Sequence, residues 1–185
     1  MVVYSLRRIV FESYPTLLVC VLIGLAAGLT LQKSLENIEG TLVVMMIPLL
    51  NGIGGNLASI LGARLASALH LGTISPELRG RALKENVRTS ALLGLAIFSF
   101  IGFIIFLIAL VRNMSLLSSV KSAAVFMLAG AMLLPVIILS TVLLAFASFK
   151  RGLDPDNIVI PIVTSIVDVA ASVSLLIISV NVIGV

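Results

Sequence analysis

A chain of 185 residues that is 60% hydrophobic and only 11% charged, with a mean hydropathy of +1.26, is not a water-soluble domain. Its formal net charge of +4 does not point to nucleic acid, because the basic residues lie in short connections between apolar runs, where membrane topology accounts for them. The single cysteine, Cys20, sits inside an apolar run and reads as a packed thiol, which leaves neither a disulfide framework nor a thiolate metal centre.

An α-helix needs about 20 apolar residues to cross a hydrocarbon core roughly 30 Å thick, and runs of that length recur along the chain. The first helix, at about residues 14–33, follows Arg7 and Arg8; its apolar stretch is longer than a signal-peptide core, so it reads as a retained span. The second, about 41–70, contains "PLLNGIGGNLAS" (Pro48 to Ser59). "TISPELRGR" (Thr73 to Arg81) ends it, with Ser75 and Pro76 at N-cap and first-turn positions of a short amphipathic piece. The third and fourth helices occupy about 86–111 and 120–149. "KRGLDPDN" (Lys150 to Asn157) then supplies a helix stop at Gly152 and a start at Asp154-Pro155, and the fifth helix runs over about 156–182. No linker or low-complexity tract interrupts this order. Residues 1–185 therefore read as one all-α integral membrane domain of five transmembrane helices, a multi-pass protein expected in the cell membrane.

Lys and Arg accumulate in cytoplasmic loops, so their count sets the orientation. With the N-terminus inside, the inner side holds Arg7, Arg8, Arg79, Arg81, Lys84, Arg88, Lys150 and Arg151, against Lys33, Arg112 and Lys121 outside. Arg64, near the inner end of helix 2, snorkels inward along its own stem. The expected topology is N-in, C-out.

One carboxylate breaks the fifth run. Asp168 lies about 18 Å along helix 5 from Asp156, close to the bilayer centre. A charged Asp there costs about 2.5–3.5 kcal/mol, so it must face water or a partner, or serve, protonated or hydrogen-bonded, as glue between helices. Steps of three and four residues from it reach Thr164, Pro161 and Asn157 in one direction and Ser172 and Ser179 in the other, a polar stripe along the helix. The only basic residue well inside a span is Arg64, too shallow to neutralise Asp168, which leaves an inorganic cation as the natural counter-charge. Helix 2 supplies candidate ligands at the same depth. A proline, three glycines and two asparagines in Pro48 to Ser59 predict a loosened backbone whose freed carbonyls meet protein or water. Small residues of this run and the turns after it, Gly55, Ser59, Gly62 or Ala63, and Ala66, also suit close helix packing. Both roles stand at this point.

"GGN" at Gly54 to Asn56, "LHLG" at Leu69 to Gly72, and "GLDPDN" leading through Pro161 to Val167-Asp168 resemble the transmembrane domain of MgtE-type magnesium transporters, most nearly their archaeal and eukaryotic solute-carrier branch. The resemblance covers nearly the whole chain. It implies a homodimer of five-helix domains with a cation pore at the dimer axis, lined by helices 2 and 5. The family's pore aspartate falls on Asp168, and its glycine-rich carbonyl and Asn segment on Gly54, Gly55 and Asn56. Bacterial members continue "GGN" with Gly-Asn-Gln, where this chain has Ala58, Ser59 and Ile60, so a second amide ligand is missing. They also carry magnesium-sensing domains before the first helix, and none is expected here.

The expected ligand set is Asp168, Asn56, Gly54, Gly55, Ser59, Thr164 and Ser172, all oxygen donors. Such donors suit hydrated Mg²⁺, which gives up its waters reluctantly, and also Mn²⁺, Co²⁺ or Ca²⁺. Soft ligands are absent from the set: Cys20 lies elsewhere, the only histidine, His70, is interfacial, and Met45 and Met46 read as packing or lipid-facing residues. The expected function is transport of a divalent cation. An intramembrane protease needs two aspartates or a Ser/His pair, and one deep Asp with one shallow His supplies neither, so no catalysis is expected. A non-transporting assembly subunit accounts for the small-residue faces but leaves Asp168 without a purpose.

Overall fold

The computed structural model describes residues 6–35, 41–74 and 80–183. Five helices follow one another: α1 (Leu6–Leu35), α2 (Thr41–His70), α3 (Arg81–Val111), α4 (Leu116–Lys150) and α5 (Pro155–Ile183). All five are long and apolar enough to cross a membrane. The short amphipathic piece expected at Ser75-Pro76 lies outside the described residues.

Three helices start earlier than their expected runs, α1 at Leu6, α3 at Arg81 and α4 at Leu116. Hydropathy reports the thickness of the hydrocarbon layer, whereas a helix continues into the headgroup layer wherever its polar residues favour the conformation. Arg81 and Glu85 do so on the first turn of α3, pairing at i,i+4 with Nε 2.8 Å from Oε1.

The helix stops are local. Gly152 at φ 70° follows α4; its N–H donates to the Phe149 carbonyl (3.0 Å) and that of Leu153 to the Ser148 carbonyl (3.0 Å). This pair of bonds satisfies carbonyls that the helix end would otherwise leave open, and it needs a left-handed residue at Gly152. Asn113, at φ 57°, ends α3 with the equivalent bonds to Leu110 and Ala109. Two residues beyond Gly152, Asp154 starts α5: its Oδ1 accepts the Asp156 N–H at 3.1 Å, and Pro155 occupies the first helical position, where no N–H is required.

α2, α4 and α5 pack on one another around buried Leu50, Leu133, Ile137, Val163 and Val167; α3 lies on α4 and α2, and α1 lies on α5. The closest approach of α2 to α5 is at Gly54. A Cβ there would stand 2.6 Å from Val167 Cγ1 and 3.0 Å from Leu133 Cδ2. Only glycine lets these three helices meet, and in a membrane, where lipid is as apolar as leucine, such close packing is a main source of helix association. The outward sides of the bundle carry large apolar groups such as Phe11, Leu22, Phe100 and Leu139, as contact with lipid requires.

Candidate ion site on α2 and α5

The carboxylate of Asp168 belongs near the middle of α5, which runs from Pro155 to Ile183, and its side chain is exposed. Its helix neighbours are not. Val167 and Ala171 are wholly buried, and Thr164 is half-buried. Asp168 therefore stands at the rim of the α5 packing face, just outside the seam with α2.

Three contacts fix the register of the antiparallel pair: Gly54 meets Val167, Gly55 meets Thr164 (Cβ position to Cγ2 3.6 Å), and Gly62 meets Val159. In this antiparallel register Asn56 stands opposite Ser165 and Asp168 opposite Ile53, so the two lie within one helical turn of each other, about 4.5 Å apart along the bundle. Asn56 is exposed as well. No hydrogen bond joins the two side chains, and among the described residues no group of three or more His, Cys, Asp or Glu side chains converges to hold a metal. A single chain thus presents one carboxylate and one carboxamide on its surface near the middle of α5 and α2.

The glycine-rich run differs from its expected form. α2 continues unbroken from Thr41 to His70 through Pro48 and the glycines. The carbonyls of Gly54 and Gly55 stay in the helical ladder, and the one that loses its i+4 donor to Pro48 is that of Val44, a turn earlier. The loosened backbone at Gly54 and Gly55 is accordingly corrected to an intact helix in which Gly54 serves packing.

The hydroxyls of the expected ligand set are turned to their own helices. Ser59 donates to the Gly55 carbonyl (2.9 Å), Thr164 to those of Ile160 (3.0 Å) and Pro161 (2.9 Å), and Ser172 to that of Asp168 (2.9 Å). Each hydroxyl hydrogen is thereby used, which leaves oxygen lone pairs that accept from water or face a cation. Ser172 and Ser179 are buried, so the polar stripe of α5 is open only from Thr164 to Asp168. At its lower end Asn157 is engaged elsewhere: its Nδ2 donates to Glu12 Oε2 of α1 at 3.2 Å, and the Asp154 backbone N–H donates to the same oxygen at 3.4 Å. His70 approaches Asp154 (Nε2 to Oδ1 3.8 Å) and lies edge-on to Phe149 at 5.7 Å. It belongs to this helix-end cluster and not to the site near the middle of α5. Met45 is exposed and Met46 buried, so one faces outward and the other packs.

Sequence reasoning passed over two residues. Glu12, read as preceding the first span, ties α1 to the start of α5. Asn51 has a buried Oδ1 with no hydrogen-bond partner. One turn from Gly54 and Gly55, it lies opposite the turn of α5 that follows Val167, and its signal was its place in the same "PLLNGIGGN" run.

Residues 47–178, from α2 to α5, match the family model of MgtE, a divalent cation transporter. The chain belongs to the MgtE family. Its members are transporters and not enzymes, in line with the absence of a catalytic constellation from the sequence. The MgtE match contains Asn56, Thr164 and Asp168 and leaves α1 outside it. Solute carrier family 41 member 2 of Mus musculus is 25% identical over 174 residues, and the protein of that name from Xenopus laevis 27% over 177. Solute carrier family 41 member 3 of Rattus norvegicus is 25% identical over 178 residues. Each alignment takes in 88% of this chain but only 30%, 31% and 38% of the respective relative, so the chain spans about a third of their length. No solved structure matches the chain.

Proposed function

We propose that this MgtE domain moves a divalent cation, Mg²⁺ before Mn²⁺, Co²⁺ or Ca²⁺, through a pore formed between two copies of the chain in the cell membrane. The observation that carries this reading is the exposure of Asp168 at the middle of α5, within one helical turn of exposed Asn56. A carboxylate that faces lipid at that depth costs about 2.5–3.5 kcal/mol, whereas one that faces its own copy across a water-filled axis is solvated. Two such carboxylates repel each other, and a +2 ion relieves the repulsion.

The donors around Asp168 favour a hydrated ion. Thr164 and Ser59 offer only lone pairs, and Asn56 offers a carboxamide; neutral oxygens of this kind accept from a water shell without stripping it. Cys20 and His70 lie on other parts of the bundle, which argues against Zn²⁺ and Cu⁺. The excess of Lys and Arg on the side of the α2–α3 and α4–α5 connections supports an N-in orientation.

Flux into liposomes that contain the purified chain tests the reading. Asp168→Asn keeps the shape and removes the charge, so it should insert and fold as wild type does while Mg²⁺ flux falls at least about tenfold, the equivalent of 1.4 kcal/mol of lost ion stabilisation. Asp168→Glu should retain part of the flux, because a water-mediated contact tolerates one extra methylene. Wild-type flux in Asp168→Asn would remove the carboxylate from the pore. Loss of fold in that variant would make it interhelical glue.

A further inference from the structure

Away from the α2–α5 seam, a recess of about 390 Å³ opens between α2 and α3 at the end of the bundle that carries His70. Its polar lining is Arg64 and Ser67 from α2, Thr73 from the connection and Asn86 from α3, with Ala63, Ala68 and Leu71 as its apolar lining. Arg64 lies six residues before His70 and Asn86 five residues after Arg81, so both sit roughly 8–9 Å inside their helix ends, at the depth where headgroups meet hydrocarbon.

The polar groups of this recess keep unused hydrogen-bonding capacity. Arg64 makes no ion pair or hydrogen bond among the described residues. The Ser67 hydroxyl makes none either, although the hydroxyls of Ser59, Thr141, Ser148 and Ser172 all donate to carbonyls of their own helices. Asn86 uses one N–H on the Ala82 carbonyl (2.9 Å), which leaves its second N–H and its oxygen. Thr73 donates to the Ala68 carbonyl (3.0 Å) and keeps acceptor lone pairs. The recess therefore combines one unpaired guanidinium and hydroxyl and amide donors with two acceptors. Deeper in the membrane, exposed Ile60 and Leu93 continue the same sides of α2 and α3 as an apolar track.

We propose that this recess binds an anionic phospholipid, with the phosphodiester on Arg64 and Ser67, headgroup hydroxyls on Thr73 and Asn86, and an acyl chain along Ile60 and Leu93. A guanidinium is the side chain best suited to a phosphate, since its planar fork bonds two oxygens at once. Basic pockets between transmembrane helices at the headgroup level are a known form of lipid site. The apolar track separates this ligand from a free phosphate, which has nothing to lay on Ile60 and Leu93. The site does not depend on the ion pathway.

Thermal unfolding of the purified chain in a neutral detergent tests it, with phosphatidylglycerol, phosphatidylcholine or inorganic phosphate added. Phosphatidylglycerol should raise the midpoint of wild type by about 5 °C, and the other two should not. Arg64→Gln should lose at least half of that rise. Arg88→Gln, which removes a charge at a similar depth outside the recess, should keep it. Should Arg64→Gln fail to fold, Ala63→Phe places a ring in the recess lining with Arg64 intact and should lose the rise as well. Equal rises in wild type and in the recess variants, equal losses in Arg64→Gln and Arg88→Gln, or the same rise with inorganic phosphate would each overturn the proposal.

Discussion

Asp168 and Asn56 share an exposure but not a charge, and the difference sets what each would contribute to an ion in the proposed pore. A carboxylate acts over several ångströms and compensates for the loss of bulk water; a carboxamide acts only within hydrogen-bond reach and selects among ions by the geometry of their water shells. Asn56→Ala should therefore leave maximal flux within about twofold while the half-saturating Mg²⁺ concentration rises up to about tenfold, the range of a single hydrogen bond to a charged partner. Competition of Ca²⁺ with Mg²⁺ should change in the same variant; an unaltered concentration dependence and ion preference would make Asn56 structural. Asp168 was legible in the sequence because a lone charge in an apolar run has few places to go. Gly54 was not, because a glycine's role depends on what stands across from it, and Val167 and Leu133 are remote in the chain. Asn51 escaped for a related reason: the burial of its Oδ1 depends on how the helices pack, and only that orphaned oxygen marks it.

At the scale of the helices, α2 and α5 meet as two smooth faces with a single point of tightest contact. A Cβ at Gly54 collides with a β-branched side chain whose rotamer is stiff, whereas at Gly55 it finds ordinary contact with Thr164 at 3.6 Å. Gly54→Ala should accordingly destabilise the domain by about 1–3 kcal/mol, and Gly55→Ala by much less. Thermal or denaturant unfolding of the two variants in detergent separates them, and equal losses would show that the α2–α5 register is wrong. The turn chemistry at Gly152 and Asp154-Pro155 was readable because capping bonds are local. The continuity of α2 was not, since Pro48 and three glycines argue locally for a break, while the packing of Leu50, Leu57 and Leu61 against neighbouring helices holds the segment helical. The early starts of α1 and α3 escaped hydropathy for a different reason, because a bilayer scale stops at the hydrocarbon edge.

At the scale of the whole molecule, the proposed orientation and dimer make separate predictions. N-in topology places Arg151 and Asn113, both exposed, on opposite sides of the membrane. In a Cys20→Ala background, Arg151→Cys should react with an impermeant reagent only from the cytoplasmic side and Asn113→Cys only from outside; the reverse pattern would invert the depth scale of the bundle. Asp154 does not serve for this purpose, since it is buried at 5% exposure. The dimer is tested by mixing. If each chain conducts alone, co-assembling wild type with an equal amount of Asp168→Asn leaves about one half of the flux; if both carboxylates of a two-fold pore are required, random pairing leaves about one quarter, because only wild-type pairs conduct. Across a series of mixing ratios, flux should follow the square of the wild-type fraction. A linear dependence would mean that the exposed Asp168 is solvated within a single chain, and the pore would then run through the bundle beside α5 and not between two copies.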